Sequence, residues 1–440
     1  MNAARYFYRY FSPKRLQQIY YDKIKYRANV GMDRVTPKAF EDNLDNNIQI
    51  ISRKVLSGVY KFTRYREVLI SKGRGKEPRV ISIPTVRDKL ALSACHQFLR
   101  ASFEGVIEEP LLHTIVGDIS REVLTGRFDG YVKIDITHFY SSINHQILLK
   151  KVKRKVRKAE AISLLQEAIT TETIPRTGSV SEKKKNDRGV PEGLSISNIL
   201  ADIYLADFNE KVCAQYDVSF HRYVDDILIL CDASCAESIK CFCIKALKND
   251  FDLDANEKKT MSGEIAKGVP FLGYMFFNNK IGIRTAAEEK IEASIEELFR
   301  LRKKQTISQQ VFFWRLNLRV TGCILDSKKY GWLFYYSQLT DLRILFHLDW
   351  LIDHLFCRYG FQRPTDIKRF VRAYHEITKN VSNSNYLINA DRYSSEEKAK
   401  ILIYNQKIFD NKDTATIDNL FKETMFKEVQ RLEYDIQNFS

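Results

Sequence analysis

Apolar and polar positions change period several times along this chain, and each change marks an element. YVKIDI (131–136) alternates, with Val132, Ile134 and Ile136 on one side and Lys133 and Asp135 on the other. That is the period of a half-buried strand with an acid on its open face. Residues 65–83 read as a hairpin in which YREVLI and RVISI flank the turn SKGRGKEP, and Pro84 closes it before a helix expected over 87–100. Asn144 is placed to cap a helix whose apolar Ile147, Leu148, Val152 and Val156 oppose Lys150, Lys151, Lys153, Arg154, Arg157 and Lys158. A polar stretch (170–188) and the turn-rich GVPEGLSISN (189–198) follow. Ser195 or Ser197 then stands at the N-cap of a helix carrying Ile199, Leu200, Ile203, Tyr204 and Phe208.

VSFHRYVDDILIL (218–230) reads as two short β-prone runs meeting at Asp225–Asp226. A helix over 235–250 and a strand-like VPFLGYMFF (269–277) complete this mixed region. The first 60 residues read as aromatic-rich helices. After about residue 284 the pattern is almost wholly helical, with no convincing strand. The expected fold is therefore α+β over residues 1–278 and helical over 279–440.

Composition narrows the setting. The 440 residues include 44% hydrophobic side chains and only 18 Gly and 9 Pro, enough to bury a large core and too few breakers for extensive disorder. No run approaches the roughly 18 apolar residues of a membrane span. MNAARYFYRYFSPKR carries charge where a signal peptide needs an apolar stretch. No membrane partner and a soluble, cytoplasmic setting are expected. The eight cysteines form no CxxC, so they read as ordinary thiols rather than a zinc module. The net charge of +15 is uneven. Residues 53–100 hold 12 basic and 3 acidic side chains and residues 145–190 hold 12 and 5, leaving −1 for everything else. Basic charge confined to two segments suits a polyanion such as nucleic acid, or else a solvated helix face.

Asp135 and the Asp225–Asp226 pair are the candidate chemistry. An Asp-Asp turn without glycine is a poor two-residue hairpin, and adjacent carboxylates repel unless cations neutralise them. Mg²⁺ prefers carboxylate oxygen and keeps waters, so acids converging from separate strands make a suitable site. Two such ions about 4 Å apart can drive an in-line phosphoryl transfer. A solvated loop is the plain alternative.

The surrounding motifs resemble those of the reverse transcriptases, in their order. GKEPRVISIP (75–84) looks like the fingers segment over an incoming nucleotide, and KIDITHFYSSI (133–143) like the first palm motif. GVPEGLSISNILADIYL (189–205), YVDD (223–226), NEKKT (256–260) and FLGY (271–274) look like the second, third and fourth motifs and the primer-grip turn. The resemblance implies a right-hand polymerase, with fingers and palm followed by a helical thumb. It implies that Asp135 and Asp225 hold two Mg²⁺ with the carbonyl of Ile136, and that Asp226 is a less direct ligand. Lys76 and Arg79 would meet the triphosphate of a dNTP, Tyr140 would lie beneath the sugar, and Lys259 would protonate the pyrophosphate. Glu192 and Gly193 fall in the substrate-binding loop.

Two positions depart from the family. The second motif usually reads Pro-Gln-Gly and then Ser-Pro; here it is Pro191–Glu192–Gly193, and Asn198 follows Ser197. Glu192 either pairs with a nearby cation or alters template or sugar contacts. KKYGWLFYYSQLTDL (328–342) and the overall size resemble the bacterial defence-associated, unknown-group enzymes, the single-gene type in particular. That implies anti-phage defence, a structured noncoding RNA as template and partner, and an RNA–DNA duplex product. Retron or group II intron enzymes, a template-independent polymerase and a non-catalytic RNA-binding scaffold are the alternatives. Trp332, Phe334 and Trp350 are expected inside the helical region.

Overall fold

The computed structural model describes residues 3–26, 28–71, 77–107, 112–176, 186–278, 280–406 and 413–436. Its contacts divide into two units, Met1–Pro110 with Gly130–Gly263, and Leu111–Asp129 with Glu264–Ser440. The strands of the first are β1 (Tyr65–Ile70), β2 (Arg79–Ile83), β3 (Gly130–Ile134), β4 (Thr173–Ile174), β5 (Ser219–Tyr223), β6 (Asp226–Cys231) and β7 (Met261–Glu264). They form two sheets, ordered β2-β1-β4 and β5-β6-β3-β7.

The expected hairpin exists, with Arg66 opposite Ile83 and Ile70 opposite Arg79. Thr85 caps the helix Val86–Ser102 by accepting from the Asp88 amide, and Asn144 caps His145–Lys153 through the amides of Gln146 and Ile147. Neither serine caps the helix Ser197–Gln215. Ile196 stands at its N-cap, and the Ser197 hydroxyl donates instead to the Pro191 carbonyl at 2.6 Å.

β3 is not half-exposed. Every residue from Gly130 to Ile134 is buried, and Lys133 is only 9% exposed. β3 is an inner strand with the helix Ala236–Phe251 packed on it. The sheet's other face is closed too, since Leu228 and Leu230 of β6 are fully buried outside the main cluster. Alternation thus failed as a guide to exposure here because both faces are covered.

The second unit takes in the helix Leu112–Thr125 and then β8 (Val269–Phe271), β9 (Tyr274–Phe277) and β10 (Lys280–Ile283), ordered β10-β9-β8. The single strand expected over 269–277 is split at Leu272–Gly273, both at positive φ. Helices Thr285–Lys303, Gln309–Thr321, Arg343–Tyr359, Phe370–Lys379, Ser395–Tyr404 and Thr414–Tyr434 follow. The strand-free expectation is corrected by β11 (Cys323–Leu325), β12 (Lys328–Tyr330) and β13 (Ile388–Asn389), with β11 between the other two. These strands are too short for a period to register. Their turn, Asp326–Ser327, lies at positive φ and is held by the Asp391 carboxylate, which accepts both amides at 2.7 and 2.8 Å. Trp332 is buried as expected and Phe334 partly so, but Trp350 is largely exposed. All eight cysteines are free. No helix among the described residues is long and apolar enough to cross a membrane.

Candidate active site

β3 and β6 are antiparallel neighbours with Ile134 opposite Ile227. Asp135 leaves one strand where Asp226 begins the other, so acids 91 positions apart in the chain become neighbours in register. The tip is not the Asp-Asp pair itself. Tyr223 pairs with Asp226, leaving Val224–Asp225 as the two-residue turn. Val224 sits at φ +58, a left-handed conformation that costs a β-branched residue on the order of 1–2 kcal/mol. Arg222 braces this turn, donating to the Val224 carbonyl at 3.2 Å and to Asp202 of the helix Ser197–Gln215 at 2.7 Å.

The acids pay electrostatically for their closeness. Burial, and then the charge of Asp135, pushes the Asp225 carboxyl above its usual range. Burial and then Asp225 push Asp226 up to about 7. Buried carboxylates raised by one another want a cation, and an all-oxygen donor set suits Mg²⁺. Among the described residues, the trio whose ligand atoms all lie within 4.8 Å is elsewhere, Glu288, Glu292 and His347. There His347 Nε2 already meets Glu292 at 2.6 Å.

The segment after β3 is fixed by the fourth motif. Ile136 bridges Ala255, the Asn256 amide donates to the Asp135 carbonyl at 2.8 Å, and Thr137 donates to Asp254 at 2.8 Å. The turn that follows carries Lys259 to 3.3 Å from Asp135 Oδ1. Tyr140 is buried on the short helix Phe139–Ser142, and its hydroxyl donates to Asn198 at 2.7 Å. Burial, followed by Asp225, raises its phenol.

Glu192 pairs with Arg79 of β2, and its carbonyl accepts the Ser82 amide at 2.7 Å. The unusual acid therefore has its cation, the same arginine that the resemblance assigns to the triphosphate. Gly193 follows at φ +92, and a Cβ there would meet Ile81 Cγ2 at 2.7 Å. Gly193→Ala is expected to cost about 1–3 kcal/mol through strain and overpacking, read as a lower urea midpoint. Lys76 lies outside the described residues.

Three neighbours of the candidate residues were given no role by the sequence reading. Lys133 counters Asp226 from inside the sheet; its i, i+2 spacing with Asp135 was the available signal. Asn198 and Asp202 stand as polar residues on an otherwise apolar helix start, which is the pattern that marks them.

Residues 70–276 match the reverse transcriptase (RNA-dependent DNA polymerase) family. The chain carries a reverse transcriptase domain. It is an enzyme of the RNA-directed DNA polymerase class, and such domains generally use divalent metal ions, commonly Mg²⁺. The chain is similar to Protein YkfC of Escherichia coli (strain K12), at 23% identity over 295 residues that cover 57% of this chain and 76% of that protein. An uncharacterized 91 kDa protein in a cob intron of Schizosaccharomyces pombe is 28% identical over 208 residues, covering 44% of this chain. The match spans only 24% of that relative's length. Among solved structures, Candida albicans telomerase in complex with a fragment of telomeric RNA aligns with a TM-score of 0.44 at 12% identity, covering 91% of this chain and 68% of that one.

Proposed function

We propose that the reverse transcriptase domain copies a bound, structured noncoding RNA into DNA with two Mg²⁺ ions, in bacterial anti-phage defence. Residues 1–278 act as fingers and palm, and 279–440 as a helical thumb and extension that hold the RNA–DNA product. The observation that carries the chemistry is the meeting of Asp135 with the 225–226 turn across β3 and β6. The defence role leans on the resemblance of residues 328–342 and of the overall size.

Asp135, Asp225 and the Ile136 carbonyl would hold the ions, with Asp226 beside them. Ions held there would supply activation of the primer hydroxyl and stabilisation of the leaving oxygen. Arg79 turns from Glu192 to the dNTP triphosphate, whose oxygens offer a fork-matched acceptor. Tyr140, its hydroxyl fixed by Asn198, presents a rigid ring that excludes a 2′-hydroxyl. Lys259 carries a proton within reach of the pyrophosphate.

Glu192→Gln is expected to free Arg79 from an ion pair while keeping a hydrogen-bond acceptor. The KM for dNTP should fall roughly 3- to 10-fold with kcat nearly unchanged, since only ground-state competition is removed. A raised KM would mean that Glu192 positions Arg79 rather than competing for it. The function itself is tested by purifying the chain with its endogenous nucleic acid and sequencing both RNA and cDNA. One recurrent noncoding RNA with complementary cDNA is the expected result. Intron sequence would favour the mobile-element reading, towards which the match to an intron-located protein points. Product unrelated to the RNA would indicate template-independent synthesis.

A further inference from the structure

The helix Arg343–Tyr359 turns large aromatics outward. Phe346 is 62% exposed and Trp350, one turn on, is 58% exposed. Two large aromatics one turn apart on a helix surface make a contiguous apolar patch of the kind that marks binding sites. The indole plane is fixed by near-parallel stacking with His347 (5.7 Å, 28°) and His354 (5.1 Å, 15°). Phe346 and Trp350 line a cavity of about 570 Å³ whose other wall is formed by Arg369, Val371, Arg372 and His375. That volume is in the range that takes a small organic ligand.

The acids at this cavity are largely spoken for. Asp349 accepts the amides of Phe370 and Val371 at 2.6 and 3.2 Å, and Asp353 pairs with Arg363 at 3.0 Å and with Arg369 at 3.5 Å. Glu376, on the far rim, accepts from Asn380 at 3.3 Å. The bases are less engaged. Lys368 and Arg372 both lie over the Tyr386 ring, at 4.4 and 4.3 Å, and neither has an ion pair among the described residues. Burial, and then the neighbouring Arg372 charge, lowers the Lys368 ammonium. Of these two cations, Arg372 lines the cavity opposite the aromatic wall, where its charge can meet an anion.

We infer that this cavity binds a nucleotide of single-stranded RNA, with the base against Phe346 and Trp350 and the flanking phosphates on Arg372 and Arg369. Exposed aromatics interleaved with cations suit a splayed strand, because every base offers a π-face and every linkage a charge. A duplex keeps its bases stacked and would not enter the cavity. The choice of RNA rests on the template-copying function proposed above; the site itself uses no residue of the palm.

The test uses the full chain, with its polymerase cleft saturated by a primed RNA–DNA duplex, titrated with a fluorescein-labelled oligouridylate. Anisotropy should report saturable binding, and tryptophan emission should be quenched in the wild type but not in Trp350→Phe. Phe346→Ala with Trp350→Ala should weaken binding roughly tenfold. Arg372→Ala should weaken it less and lower the salt slope by about one. These side chains are exposed, so folding is not at stake. Equal affinity in that variant would overturn the site. So would light scattering that shows a dimer dissolved by the same substitutions. Oligouridylate binding without any primed extension by the wild type would sink the polymerase reading and leave this site standing.

Discussion

Asp225→Ala combined with Asp226→Ala is expected to lower dNTP incorporation on a primed RNA by at least ~10³-fold, to the limit of a gel assay. Charge stabilisation at a two-ion phosphoryl transfer is worth several kcal/mol, and about 4 kcal/mol corresponds to ~10³ in rate. Asp135 alone cannot replace that stabilisation, because it already faces Lys259 at 3.3 Å. The fold should not suffer. Asp226 is buried and Asp225 half-buried, and the two repel each other, while the strand that follows, β6, is held by Ile227, Leu228, Ile229 and Leu230, all fully buried. Melting of the metal-free double variant should therefore match or exceed that of the wild type. Oligouridylate binding by the helical unit should persist. Normal extension by the double variant would remove the mechanism. Loss of extension together with loss of fold would be resolved by Asp135→Asn, which changes one oxygen to an amide and leaves the hairpin untouched.

What the sequence disclosed and what it hid follow one physical line. Local patterns were legible: the hairpin at 65–83, the Asn144 cap and the helix after Cys235 are set by neighbours a few residues apart. The strand at 131–136 was legible as a strand, yet its exposure was not, because burial of Lys133 depends on what covers the sheet's second face. The acids stood out in the sequence because an Asp-Asp pair near a turn is costly without a partner. The turn's actual register, Val224–Asp225, was not, since a β-branched residue at positive φ runs against local preference and is held by Arg222 from outside the turn. Glu192 was recognisable as a departure. Which of the two readings applied needed the distant Arg79. Trp350 misled for the opposite reason: an aromatic at helical spacing normally points inward, and only the packed structure shows this one facing solvent.

The same distinction identifies the substitution expected to cost the most stability, Asp88→Ala. In sequence, Thr85 followed three positions on by Asp88 looks like an ordinary helix start, and Thr85 does accept the Asp88 amide at 3.1 Å. The Asp88 carboxylate, however, faces away from its own cap. It is 0% exposed and accepts from the Tyr60 hydroxyl at 2.7 Å, the Thr63 amide at 2.9 Å and Arg87 Nη2 at 3.0 Å. Arg87 also lies over the Tyr60 ring at 5.3 Å. Burial, and then the Asp88 charge, holds the Tyr60 phenol far above its ordinary range, so that hydroxyl remains a donor at every working pH. Truncation would strand a buried hydroxyl, a backbone amide and half of a guanidinium pair at once. Removing one partner of such a network costs about 3–5 kcal/mol, against roughly 1 kcal/mol for a single neutral hydrogen bond. Urea unfolding should show that loss, with Asp88→Asn intermediate because the amide keeps one acceptor. The chain between Thr63 and Tyr65 leads directly into β1, whose partner β2 carries Arg79. Part of the loss should therefore appear as local opening of the β1–β2 hairpin, seen in hydrogen exchange and in a raised dNTP KM while the aspartates and their chemistry remain in place.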